Sequence, residues 1–190
     1  MTHLIIRFAG YGGYGIVTAS RTLGLSFTIQ GYQTLQTESH GAAARGGACT
    51  ANLVVSSSPI YELEFNKPDI LVVLSTSAFQ KCYSISPELT NSYLLIEASL
   101  LDDSTIKGAL NRIKEEGKIR VFQLNFSKIA SKLGHVRYLG IASLGALTTI
   151  DDRVTIAALE KTIETDTKLK RFAKENLMAL HLGATLVSSL

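Results

Sequence analysis

A cluster of four glycines within six residues, Gly10 to Gly15, constrains the fold of this chain more than any other feature. The residues before it, His3 to Ala9, form an apolar run typical of a buried strand. Behind it, apolar residues recur every three or four positions and predict a helix that Gly31 ends. These are Ile16, Ala19, Leu23 and Phe27. A strand, a glycine turn and a helix in this order leave helix-start amides open to a phosphate or another anion.

The glycine spacing has two further interpretations. Gly10-x-Gly12-x-x-Gly15 satisfies the dinucleotide fingerprint, which needs an acidic residue about twenty positions later to bind a ribose hydroxyl. Here Glu38 comes late, after a predicted second strand over Tyr32 to Thr37. Alternatively, the glycines only allow a tight turn between strand and helix. The spacing alone does not decide among these interpretations.

A second cluster of small residues follows that strand, and Arg45 is the only Asp, Glu, Lys or Arg between Ser39 and Ala51. Small neighbours let a ligand or another subunit approach, and a guanidinium there suits a phosphate or carboxylate. The competing interpretation is a surface loop with an incidental arginine, and His40 is equally well explained as a loop histidine. The candidate ligand-binding or interface residues of both clusters are Gly10, Gly12, Gly13, Tyr14, Gly15, Ser39, His40, Gly41, Arg45, Gly46 and Gly47.

Strands alternate with helices over the first two thirds of the sequence, which predicts a three-layer α/β domain with a mostly parallel sheet flanked by helices. The last third is predicted to be helical. It contains an apolar, buried helix over Leu139 to Ile150 and a final amphipathic helix from Leu169 to Val187. A length of 190 residues suits one domain over residues 1–190, with enough core to fold without disulfides.

Composition excludes several classes of function. The net charge of +3 is small and the basic residues are scattered, so nucleic acid is not an expected partner. Apolar runs are too short to span a membrane, and we expect a cytoplasmic location. Cys49 and Cys82 lie in no paired-cysteine motif, so this chain alone cannot hold an iron–sulfur cluster or a structural zinc ion. We expect no metal site and no catalytic residue in this chain.

Four segments together resemble one protein family. They are Gly10-x-Gly12-Gly13-x-Gly15-Ile16-Val17, Ser39-His40-Gly41 with Ala44-Arg45-Gly46-Gly47, Leu144-Gly145-Ala146-Leu147, and Glu175-Asn176-Leu177-x-Ala179-x-x-x-Gly183. In this order they resemble the gamma subunit of the 2-oxoacid:ferredoxin oxidoreductases. The pattern before the Arg-Gly-Gly triplet is most similar to the 2-oxoglutarate type, with the indolepyruvate type second.

The resemblance implies a function that needs partner chains. The family reaction is the coenzyme A-dependent oxidative decarboxylation of a 2-oxoacid to acyl-CoA, carbon dioxide and reduced ferredoxin. Thiamine diphosphate, Mg²⁺ and 4Fe-4S clusters are expected on alpha and beta subunits, with a delta subunit as an option, because this sequence contains no thiamine-binding acidic motif. The alternatives are a stand-alone NAD(P)-binding protein, with Glu38 on the ribose, and a docking subunit without a ligand.

Two positions depart from the family pattern, which commonly has Gln at Tyr14 and Asn at Gly140. We also expect the turn Gly10 to Gly15 and the loop Ser39 to Gly47 to meet, because loops that leave adjacent parallel strands lie at one sheet edge. Together they would form a concave surface for coenzyme A, or merely a close contact with a partner subunit.

Overall fold

The computed structural model describes residues 3–40, 48–61, 67–83 and 92–188. These residues form six strands and seven α-helices in an α/β fold. The strands are β1 (Leu4–Tyr11), β2 (Gln33–His40), β3 (Ala48–Ser56), β4 (Ile70–Val73), β5 (Ser92–Glu97) and β6 (Ile119–Leu124). The helices are α1 (Ile16–Ile29), α2 (Thr76–Tyr83), α3 (Ser104–Glu116), α4 (Phe126–Lys132), α5 (Tyr138–Leu147), α6 (Ile156–Thr165) and α7 (Ala173–Ser188).

The sheet has the order β2-β3-β1-β4-β5-β6. Three of its five neighbouring pairs are parallel, so the prediction of a mostly parallel sheet is confirmed. The other two pairs come from β3, which is antiparallel to both β1 and β2. We expected the first two strands to be adjacent, and that was wrong. The chain returns through β3 and places it between them.

Two apolar clusters cover the two faces of the sheet, which gives the three layers. One cluster joins alternate residues of the strands, such as Ile6 and Phe8, to α1, α4, α5, α6 and α7. The other joins the opposite residues, such as Leu71 and Val73, to α2 and α3. This alternation follows from the period of two in a strand, and burial on both faces explains why β4 is continuously apolar.

Most helix boundaries follow the predicted signals. The predicted face of α1 is buried, and Gly31, Gly117 and Gly134 lie just beyond α1, α3 and α4. All ten residues of α5 are buried, as its apolar sequence indicated. However, α5 ends at Leu147, three residues earlier than predicted. The amide of Thr148 there bonds to the carbonyl of Gly145, and the Thr148 hydroxyl donates to the same oxygen, which tightens the last turn.

Helices α5 and α7 pack so closely that their backbones touch. A Cβ on Gly145 would collide with the carbonyl oxygen of Leu180, and a Cβ on Gly183 would collide with the carbonyl oxygen of Ala142. Both glycines therefore belong to the helix contact rather than to a ligand site. This contact gives a physical reason for two of the motif segments, which lie far apart in the sequence.

An ion pair ties α1 to the end of α6. Arg21 Nη2 donates to Asp166 Oδ2 at 2.6 Å, and this bond is the main reason why the pKa of Asp166 lies below its usual 3.8. A carboxylate whose pKa is lower in the folded state stabilises the fold above its unfolded pKa, and that contribution is lost as the pH falls through the folded value.

We therefore expect Asp166→Asn to have a lower free energy of unfolding than the wild type at neutral pH. This gap between the two free energies should close in acid, below about pH 4. Asparagine keeps an oxygen that can accept from the amides of Lys168 and Leu169, so the substitution mainly removes the charge. Urea unfolding of both proteins across the acid range measures the gap. A gap that is independent of pH would contradict this explanation.

Candidate functional site

The glycine turn lies at the carboxyl edge of the sheet, between the end of β1 at Tyr11 and the start of α1 at Ile16. The amide of Tyr14 closes the turn on the carbonyl of Tyr11 at 3.2 Å. Gly13 and Gly15 have φ values of 93° and 76°, in the left-handed region that side chains disfavour. The predicted strand, turn and helix are therefore all present.

The amino terminus of α1 is open. No side chain caps it, and its first intrahelical bond runs from the amide of Ala19 to the carbonyl of Gly15. Within the described part of the chain, the amides of Ile16, Val17 and Thr18 have no acceptor. Uncapped amides together with the helix dipole favour an anion at this end.

The glycines of the turn have different roles. A Cβ on Gly10 would lie 2.8 Å from Ile16 Cδ1, and a Cβ on Gly15 would collide with the carbonyl oxygen of Arg137. These two glycines allow close packing. Gly12 and Gly13 are exposed, and a Cβ on either would meet nothing within 4 Å. Only Gly12 and Gly13 thus present open backbone to a ligand.

Helix α5 holds the turn from the other side. The amide of Gly140 donates to the carbonyl of Tyr14 at 3.1 Å, and a Cβ on Gly140 would lie 2.5 Å from the carbonyl oxygen of Gly15. This contact leaves no room for a side chain at Gly140, one of the two positions noted above as departures. The other departure, Tyr14, lies edge-on to Tyr11 with ring centroids 5.5 Å apart. It fills space beside the turn with an aromatic pair.

The end of β2 reaches the same edge of the sheet as the glycine turn. In the pairing of β1 with β3, Ala48 lies opposite Tyr11, and in the pairing of β2 with β3, Cys49 lies opposite His40. Tyr11, the start of β3 and His40 therefore lie side by side at this edge. Ser39, in this last part of β2, is exposed. The predicted Gly41, Arg45, Gly46 and Gly47 lie outside the described residues, and their part in the site stays a prediction.

The geometry disfavours the dinucleotide interpretation. In that fold the ribose acid ends the strand next to the glycine strand. Here β3 separates β1 from β2, and the exposed Glu38 accepts a bond from Gln36 Nε2 at 3.0 Å. Glu38 is therefore one strand further from the turn than a ribose acid would be.

A cavity of about 280 Å³ opens on the turn and exposes Arg137, which sequence reasoning missed. The half-buried Arg137 guanidinium stacks on the Phe172 ring, 4.1 Å from its centroid, and Nη2 donates to the Tyr138 hydroxyl at 3.3 Å. In the sequence, Arg137 stands out only as a basic residue directly before the apolar residues of α5. Nothing in that signal indicated that α5 packs on the turn.

A larger cleft of about 770 Å³ lies on the other side of Tyr14, along the ends of β1, β4 and β5. Its wall includes Glu97, which is only 3% exposed and which the sequence analysis also missed. Glu97 accepts bonds from the amide and the hydroxyl of Ser127, at 3.0 and 2.8 Å, and from the amide of Ser99 at 3.2 Å. The carboxylate thereby caps the start of α4.

Neither cysteine of the chain has the features of a reactive thiol. Cys49 and Cys82 are buried, and burial raises the pKa of both thiols. In the described ranges, no group of three or more His, Cys, Asp or Glu side chains is placed to hold a metal ion. None of the helices described is long and apolar enough to cross a membrane.

The fold and its motifs define a recognisable class of protein. The chain belongs to the pyruvate ferredoxin/flavodoxin oxidoreductase family, whose sequence profile matches residues 5–186. It is 32% identical over 180 residues to the 2-oxoglutarate synthase subunit KorC of Methanocaldococcus jannaschii, a match that covers 94% of this chain and 90% of that protein. The resemblance predicted from the motifs is thus confirmed.

Solved structures share the fold. The gamma subunit of a keto/oxoacid ferredoxin oxidoreductase from Geobacter sulfurreducens superposes with a TM-score of 0.77 at 22% identity, over 98% of this chain and 99% of that chain. The 2-oxoglutarate:ferredoxin oxidoreductase from Magnetococcus marinus matches with a TM-score of 0.81 at 18% identity. That match covers 100% of this chain and 32% of the longer chain, whose structure contains 2-oxoglutarate, coenzyme A and succinyl-CoA.

Proposed function

We propose that this chain is the gamma subunit of a 2-oxoacid:ferredoxin oxidoreductase that converts a 2-oxoacid and coenzyme A to acyl-CoA, carbon dioxide and reduced ferredoxin. The observation that carries the proposal is the near full-length similarity to a 2-oxoglutarate synthase subunit. The same relative makes 2-oxoglutarate the favoured substrate. We assign to the chain subunit contacts and a share of coenzyme A binding, and no catalytic residue.

The chemistry of electron transfer belongs, in this proposal, to alpha and beta subunits that carry thiamine diphosphate, Mg²⁺ and 4Fe-4S clusters. A delta subunit and ferredoxin complete the set of partners. The two thiols of this chain, Cys49 and Cys82, are buried and have raised pKa values, so they are poor cluster ligands. We place the complex in the cytoplasm, where such thiols stay reduced.

The open end of α1 supports the coenzyme A part of the proposal. Its uncapped amides are hydrogen-bond donors for the pyrophosphate of coenzyme A, and the exposed Gly12 and Gly13 leave room for that group. The guanidinium of Arg137 lies beside the same cavity and adds positive charge. Arg45, which comes between β2 and β3 in the sequence, is the second cation that we assign to this surface.

Reconstitution tests the proposal. The partner subunits are assayed for coenzyme A-dependent reduction of ferredoxin by 2-oxoglutarate without this chain, with the wild-type chain and with an Arg45→Ala chain. We expect turnover only when the chain is present. The Arg45→Ala complex should assemble normally and bind coenzyme A about 10- to 150-fold more weakly, because a charge-assisted contact is worth about 1.5–3 kcal/mol.

The other outcomes are equally informative. Turnover by this chain alone, or full turnover by the partners without it, would contradict the subunit assignment. Failed assembly of the Arg45→Ala complex, or unchanged coenzyme A affinity, would remove the ligand-binding role from the loop and favour a docking role.

A further inference from the structure

A second cavity, of about 180 Å³, adjoins the glycine turn at Gly15. It shares Gly15, Thr18 and Arg137 with the cavity that opens on the turn, so the two cavities are direct neighbours. Arg137 lies at the junction. Gly15 is the one residue of this second cavity that the sequence indicated as a candidate ligand contact.

The second cavity carries positive charge without a compensating acid. Arg137 and Lys168 line it, and no Asp or Glu is among its lining residues. The nearby carboxylate of Asp166 is already bonded to Arg21 and to the amides of Lys168 and Leu169. It is therefore not placed to neutralise the two cations.

Arg137 is fixed in position but lacks an anionic partner. Its backbone amide donates to His135 Nδ1 at 3.1 Å, and its guanidinium is stacked on Phe172. Among the described residues, its Nε is buried without an acceptor and no ion pair joins it to a carboxylate. An arginine without a carboxylate partner among the described residues is well suited to bind an anionic group of a ligand.

We propose that Arg137 and Lys168 bind a second anionic group of the ligand whose first anionic group lies on the glycine turn. If the ligand is coenzyme A, which rests on the proposed function, the pyrophosphate occupies the turn and the separate 3′-phosphate of the ribose occupies the second cavity. Thr18 is exposed and lines both cavities, so we include it as a candidate hydroxyl donor to either phosphate.

A comparison of coenzyme A with a form that lacks the 3′-phosphate tests this assignment. The purified full chain is titrated calorimetrically with coenzyme A and with 3′-dephospho-coenzyme A. We expect coenzyme A to bind about 10-fold more tightly, the effect of charge-assisted hydrogen bonds to a single phosphate. Lys168→Gln should reduce this preference while leaving the affinity for the dephospho form nearly unchanged. Arg137→Gln should also reduce the preference, and it should weaken binding of the dephospho form as well, because Arg137 lines both cavities.

Two features make the variants interpretable. Lys168 is exposed, so its substitution removes a charge without disturbing the packing, which Arg137→Gln alone would not guarantee. Arg171 provides the matched control, because its guanidinium also lies over the Phe172 ring, at 5.5 Å, but does not line either cavity. Arg171→Gln should keep the wild-type preference.

The outcomes separate this inference from the proposed function. Equal binding of the two compounds by the wild type, or a preference that survives in Lys168→Gln, would overturn the inference and leave coenzyme A contact at the turn intact. Binding of neither compound would overturn both the inference and the coenzyme A contact. Neither result decides whether the chain is a required subunit, which the reconstitution measures separately.

Discussion

Replacing Gly183 by alanine is expected to lower the free energy of unfolding by about 3 kcal/mol, at the upper end of the usual cost of overpacking. The added methyl group would collide with the carbonyl oxygen of Ala142 on α5. A backbone oxygen inside a buried helix cannot rotate away as a side chain can, so the helices must separate. Gly145→Ala, which meets the carbonyl oxygen of Leu180, should have a similar effect. Urea unfolding followed by circular dichroism measures both.

Gly108→Ala is the matched control for these two variants. Gly108 also lies inside a helix, α3, but it is exposed and a Cβ there would meet nothing within 4 Å. Alanine should therefore stabilise the protein by about 0.4–1 kcal/mol, since it restricts the unfolded chain and favours the helix. Similar midpoints for Gly183→Ala and Gly108→Ala would show that the α5 and α7 backbones are not in contact.

Replacing Glu97 by alanine is expected to cost about 2–3 kcal/mol, because hydrogen bonds to a charged group are each worth about 1.5–3 kcal/mol and water replaces part of the loss at the exposed Ser99 and the half-buried Ser127. The carboxylate takes three hydrogen bonds, two of them from Ser127 at the start of α4. Its loss takes the carboxylate acceptor away from the amides of Ser127 and Ser99, and it removes a negative charge from a helix amino terminus. Glu97→Gln keeps the shape and should lose less stability.

Glu116→Ala serves as the control for the loss of a carboxylate. Glu116 is exposed, and its carboxylate lies 3.8 Å from the Lys118 ammonium. Exposed ion pairs contribute little, so we expect a change below about 1 kcal/mol. Equal effects of Glu97→Ala and Glu116→Ala in urea unfolding would mean that Glu97 does not cap α4 in solution.

The predictions that succeeded rest on neighbouring residues. The glycine turn, the buried face of α1 and the end of α1 at Gly31 are encoded by short spacings in the sequence. The same holds for the apolar helix α5, whose ten residues are all buried. Such signals depend on the local period of apolar residues and on backbone preference, so they can be interpreted without a tertiary structure.

The predictions that failed concern contacts between distant segments. The position of β3 between β1 and β2 is set by its antiparallel pairing with both strands, and no local pattern encodes that pairing. The contact of Gly140 with Gly15 and the capping of α4 by Glu97 likewise join residues far apart in sequence. Arg137 became a site candidate only through such a contact. The resemblance to a family located the glycine motifs but could not distinguish packing glycines from ligand-facing ones.

The contact between α5 and the glycine turn determines when the anion-binding geometry can form during biosynthesis. The turn leaves the ribosome before α5, because it precedes α5 in the chain. However, two groups that contact the turn follow more than a hundred residues later. The carbonyl of Arg137 packs against Gly15, and the amide of Gly140 donates to the carbonyl of Tyr14. Domains fold as units during synthesis. A growing chain therefore has the glycine sequence long before it has the cavities beside the turn, and it gains the anion-binding geometry only when α5 has emerged and docked.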